Sequence, residues 1–76
     1  MRLSKEDFIT KIGERVRQIR ISKGLTLERV AFDAGMDYTQ LSRIELGKIN
    51  TSIYQIYVVS NSLKVPMTDI LNDLNK

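Results

Sequence analysis

Apolar residues in this 76-residue chain recur mainly at gaps of three and four, the spacing of one helix face. Phe8, Ile9, Ile12, Val16 and Ile19 predict an amphipathic helix over about 5–22. Ser4 can cap it, with Asp7 three residues later, and Gly24 ends it. Val30, Ala31 and Ala34 share one face of a short helix over about 27–34. Leu41 and Ile44 do the same over about 38–46. A fourth helix, about 52–63, carries Ile53, Ile56, Tyr57, Ser60 and Leu63 as its stripe, with Tyr54, Val58 and Val59 off it. Met67, Ile70, Leu71 and Leu74 stripe a fifth, about 67–74, which Pro66 can start. No stretch alternates convincingly as a strand does. The pattern predicts an all-α domain of five helices spanning 1–76.

The punctuation between the second and third helices is tight. Thr26 can cap the former and Gly35 close it; Asp37 can cap the latter and Gly47 close it. Only Gly35, Met36 and Asp37 lie between them, so the two helices must cross steeply. That is a helix-turn-helix, whose second helix can enter the DNA major groove. The outward face of that helix carries Tyr38, Thr39, Gln40, Ser42 and Arg43, with no acid before Glu45. A merely solvated face more often mixes Glu with Lys.

Charge adds direction to this picture. Net charge is +3. Residues 1–48 hold ten Lys/Arg against seven Asp/Glu, and residues 49–76 hold two of each. The excess lies in the half with the helix-turn-helix, as suits a polyanion-facing front. The chain has no Cys and no His. A disulfide framework and the usual zinc sites are excluded, and neither metal nor cofactor is expected. No apolar run reaches membrane-spanning length and no signal-peptide pattern opens the chain, so the expectation is a cytoplasmic, nucleoid-associated protein without a membrane. No catalytic residue stands out. Glu28 and Asp33 are five apart, no convergent pair or Gly-rich phosphate loop appears, and neither an enzyme nor a small-molecule substrate is expected.

The outward face offers groups that can meet base edges or phosphates. Arg43 can donate two bonds to guanine O6 and N7, and Gln40 can address adenine N6 and N7. Thr39 offers a methyl to thymine or a hydroxyl to phosphate; Tyr38 offers a hydroxyl to phosphate, or packs on the turn. Arg43 could instead pair with Glu45. Thr26, Leu27, Thr51 and Ser52 sit at two helix N-termini, whose amides suit phosphate, and Lys48 adds salt-dependent attraction.

Several segments together resemble the lambda-repressor-like helix-turn-helix regulators, the XRE or Cro/repressor family. They are Arg17-Gln18-Ile19-Arg20 with Gly24-Leu25-Thr26, Val30-Ala31 with Ala34-Gly35, and Leu41-Ser42-Arg43-Ile44-Glu45 with Gly47-Lys48. The stretch Asp37–Ser42 is similar to small stand-alone members, restriction–modification controller proteins among them, without singling these out. The resemblance implies a five-helix domain that binds operator DNA as a symmetric dimer. It implies base contacts from Tyr38, Thr39, Gln40 and Arg43. Phosphate contacts would come from Thr26, Leu27, Lys48, Asn50, Thr51 and Ser52. It also implies that Arg20 pairs with Glu45. The chain departs from the family pattern at Leu27, usually Gln, at Thr51, commonly Pro, and at Lys64, commonly Gly. At Leu27 only the backbone N–H could reach a phosphate.

Ile49, Ile53, Tyr54, Val58, Met67, Ile70 and Leu74 exceed what so small a monomer needs to bury, and some should form a dimer face; for Ile53, Ile70 and Leu74 ordinary core is at least an equal reading. Two-fold symmetry would set the recognition helices about 34 Å apart, over a pseudo-palindromic site. The sequence thus points to a sequence-specific homodimeric DNA-binding regulator, a repressor. The alternative is an antitoxin or adaptor on the same fold, with a protein partner and DNA binding secondary. Phe32 bears on that choice: it either packs on the first helix or contacts a partner.

Overall fold

Helix ends decide this architecture, because each short element is defined by its caps. The computed structural model describes residues 2–72 and Leu74. It contains α1 (Lys5–Ser22), α2 (Leu27–Ala34), α3 (Tyr38–Glu45), α4 (Ile53–Leu63) and α5 (Met67–Leu71), with no strand among the described residues. The hydroxyls of Ser4, Thr26 and Ser52 each accept the amide three residues on, from Asp7, Arg29 and Gln55, at 3.1 Å. Each satisfies one orphan donor of its helix. Asp37 adopts the same extended cap backbone before α3, but its carboxylate makes no cap hydrogen bond.

The C-terminal ends share a second device. The backbone turns left-handed just beyond the helix and the following amide bonds back over the last turn. After α3 this residue is Gly47, at φ +70°, and the Lys48 amide reaches Arg43 O at 2.9 Å. After α4 the same conformation falls on Lys64, at φ 60°, the only such non-glycine residue among those described. α4 therefore ends at Leu63, where its sequence pattern places the end, with Lys64 as the cap. α5 is shorter than its stripe suggested. Asn72 is already extended (ψ 142°), so Leu74 lies outside the helix; Asp73, Asn75 and Lys76 lie outside the described residues.

Every helix contributes to one core. Val16, Val30, Leu41, Val59, Leu63 and Ile70 are almost completely buried, each contributing about 1.5–3 kcal/mol relative to exposure. α1 packs on α3, α2 on α3 and α4, and α5 on α1 and α4. Among the polar ties between elements, Ser62 Oγ donates to Val30 O and Arg15 Nη1 to Asp69 O, both at 2.9 Å.

Three expectations are corrected here. Ile70 is core, not surface, so it cannot serve a dimer contact. The buried face of α4 is Ile56, Val59, Ser60 and Leu63, whereas Ile53 and Tyr57 of the expected stripe are exposed. The run from Ile56 to Val59 is apolar at every position, so period alone leaves the helix phase open, and packing on α2 and α5 selects Val59. Phe32 does not pack on α1: it is 81% exposed.

Candidate nucleic-acid interface

The site is built around the two faces of α3. Leu41 and Ile44 point into the protein and are buried, as is Glu45 at 6% exposure. Burying a carboxylate requires a partner. Arg20, from the last turn of α1, supplies it with two parallel bonds, Nε to Glu45 Oε2 at 2.8 Å and Nη2 to Oε1 at 3.1 Å. Its remaining nitrogen, Nη1, donates to Leu25 O at 2.9 Å, in the α1–α2 turn. One side chain thus joins the end of α3, the end of α1 and the approach to α2. The hydrogen bond that Arg20 donates to Glu45 raises the Arg20 pKa above the ordinary arginine value, burial opposes it, and the Glu45 charge adds to the rise. A raised cation pKa means that the folded state holds its proton more tightly than the unfolded chain. This contribution persists throughout neutral and acidic pH as far as Arg20 is concerned, and fades only in strong alkali.

With Glu45 occupied from behind, Arg43 is free. It is exposed, and among the described residues it makes no ion pair and no side-chain hydrogen bond. Tyr38 (50% exposed) and Thr39 lie on the same outer side, with Gln40 and Ser42 half-buried at its edges. No acid of α3 interrupts this face, since Glu45 is turned inward. The result is a two-turn helix with hydrogen-bonding groups outward, held by a hydrophobic contact and an ion pair on its back. It can present Arg43 and Gln40 to base edges.

The helix starts around it offer backbone amides. The amides of Leu27 and Glu28 precede the first internal bond of α2, and those of Ile53 and Tyr54 the first of α4. The Leu27 side chain packs against the core, leaving only its amide for a polar contact. Thr26 and Ser52 use their hydroxyls as caps, and the Thr51 hydroxyl donates to Gln55 Oε1. Lys48 and Asn50 are exposed in the loop after Gly47.

A different surface lies at the start of α4. Ile53, Tyr54 and Tyr57 are exposed, the two tyrosine rings tilted at 6.2 Å, and Phe8 of α1 stands half-open nearby. Between Phe8 and Ile53 runs an apolar groove of about 180 Å³, lined also by Ile9, Ile49, Ile56 and Leu71 among others. Of the expected contact residues, Tyr54 is exposed and Ile49 borders the groove; Val58, Met67 and Leu74 are half-buried. Ile53, for which core and contact are both open from the sequence, is exposed; Tyr57 is the member of this surface that the sequence places only on the inner stripe. The repeated apolar positions at the head of α4 were the available signal. No helix of the described residues is long and apolar enough to cross a membrane.

This arrangement is that of a DNA-binding transcription regulator, and the helix-turn-helix family model (HTH_3) matches residues 16–70. The chain belongs to this helix-turn-helix family. Within it, the chain is similar to Control protein C.BamHI of Bacillus amyloliquefaciens, 39% identical over 61 residues that span 79% of this chain and 75% of that protein. Among solved structures it is similar to the restriction-modification controller protein C.AhdI from Aeromonas hydrophila, with 31% identity, a TM-score of 0.79 and coverage of 82% of this chain and 94% of that one. The controller protein C.Esp1396I, solved as a tetramer in complex with its natural 35 base-pair operator, superimposes with a TM-score of 0.82 at 26% identity, covering 90% of each chain.

Proposed function

We propose that this chain is a controller-type repressor that binds a pseudo-palindromic operator as a homodimer, in the cytoplasm and on the nucleoid, with α3 in the major groove. The observation that carries the reading is the freedom of Arg43, whose nearest potential acid, Glu45, is held by Arg20. In this reading Arg43 addresses guanine, Gln40 adenine, Thr39 a thymine methyl and Tyr38 the groove wall or a phosphate. The amide of Leu27, with Thr26, Lys48, Asn50, Thr51 and Ser52, meets phosphates and sets register. The second copy covers the apolar surface of Ile49, Ile53, Tyr54 and Tyr57, with Phe8 at its margin. The similarity to controller proteins, one of them held as a tetramer on its operator, supports this assignment.

Selection of bound duplexes from a random pool, with the unmodified chain and with Arg43→Ala, tests it. A two-fold-symmetric motif that loses one base preference in the variant is expected. Absence of any enriched motif would overturn the reading. Exposed Phe32 favours a second one, an antitoxin or adaptor. A tight complex with a co-encoded protein, lost on Phe32→Ala while DNA selection shows no motif, would support it.

A further inference from the structure

α1 and the end of α3 meet backbone to backbone. Gly13 is buried in the middle of α1. A Cβ built there would lie 2.1 Å from Ile44 O and 2.8 Å from Glu45 O. Both obstacles are main-chain atoms, so no rotamer change can relieve them. One turn earlier on α1, Thr10 meets Gly47: a Cβ at Gly47 would stand 3.0 Å from Thr10 Cα. Two turns later, Arg20 grips the Glu45 carboxylate. Thr10, Gly13 and Arg20 thus form one seam along α1 against residues 44–47, and Gly13 is where it is tightest. Glycine in a helix interior ordinarily weakens the helix relative to alanine, so its place here reflects the close approach.

We infer that Gly13 is a positioning residue for DNA reading: its missing side chain sets how deeply the recognition helix is seated against α1. The inference rests on the base-reading role of α3 proposed above. Arg43 and Gln40 precede the contacted carbonyls by one to five residues on a helix only two turns long, so they move with them. A methyl at Gly13 must displace the end of α3 by roughly 1 Å relative to the helix starts that meet phosphate, beyond the tolerance of a preorganised contact.

The test compares affinity for the duplex selected by the unmodified chain with affinity for a scrambled duplex of the same composition. Gly13→Ala is made in a Lys64→Gly chain, which relieves the left-handed lysine remote from the seam, with Lys64→Gly alone as reference. The ratio of the two affinities is the readout. Partial unfolding lowers both by the same competent fraction and cancels in the ratio, so a purely stabilising role leaves it unchanged. The expected result is a fall in the ratio of at least about tenfold, with weak salt-dependent binding to the scrambled duplex retained. A ratio within about twofold of the reference, whatever the change in melting temperature, overturns the inference, as does loss of both affinities without a folded state. If the unmodified chain itself selects no sequence, it is the base-reading role that fails, and the inference falls with it.

Discussion

The two arginine–carboxylate pairs among the described residues share a chemistry and little else. Arg20 and Glu45 are 12% and 3% exposed at the side chain, come from helices far apart in sequence, and meet through two bonds. Arg29 and Asp33 are 68% and 36% exposed, one turn apart on α2, and meet through one bond at 3.0 Å. The first is a joint, because removing either member leaves a charge buried alone. The second decorates a helix that its cap and core already hold. The worth of an ion pair here follows from what it connects, and the connected element is the one that presents Arg43.

Breaking the buried pair gives the largest effect. Arg20→Ala should lower unfolding free energy by about 3–5 kcal/mol, a large share of the stability of a small domain. Urea denaturation with an unchanged slope is the measurement, and a loss below about 1 kcal/mol would put this pair with ordinary surface pairs. Arg43→Ala separates the arginine proposed to read bases from the arginine that holds α3. It should cost about 1–3 kcal/mol in affinity for the selected duplex, with the denaturation midpoint nearly unchanged. Lys64→Gly calibrates the weak end of the comparison with a backbone term alone, raising stability by about 0.5–1 kcal/mol. Arg29→Ala should change stability by no more than about 0.5 kcal/mol; a larger loss would show that exposure does not separate the two pairs.

The legibility of the sequence follows the same division between local and long-range causes. Caps at Ser4, Thr26 and Ser52 and the turn at Gly47 are local, and they mark the helices as the structure has them. The phase of α4 is not local. Ile56 through Val59 satisfies two stripes equally, and only the neighbours of Val59 and Ser60 choose between them. The exposed Phe32 is illegible for a related reason: an aromatic beside an apolar face reads as core until the packing partner proves absent. Gly13 left no signal in a single chain, because a mid-helix glycine has meaning only beside the carbonyls of residues 44 and 45. The candidate reading face was legible because it is one short helix with an unbroken polar side.

The eight-residue length of α3 also limits how much information one copy can extract. Such a helix is about 12 Å long, enough to span roughly four base pairs at 3.4 Å each. Four fully specified positions recur by chance about once in 256, and the eight positions of a two-fold pair about once in 65,000, against the 10⁶ or more competing sites of a genome. A pair of these helices therefore encodes an address shorter than a genome requires. The remaining digits have to be written by DNA shape, by contacts outside α3, or by further copies bound side by side.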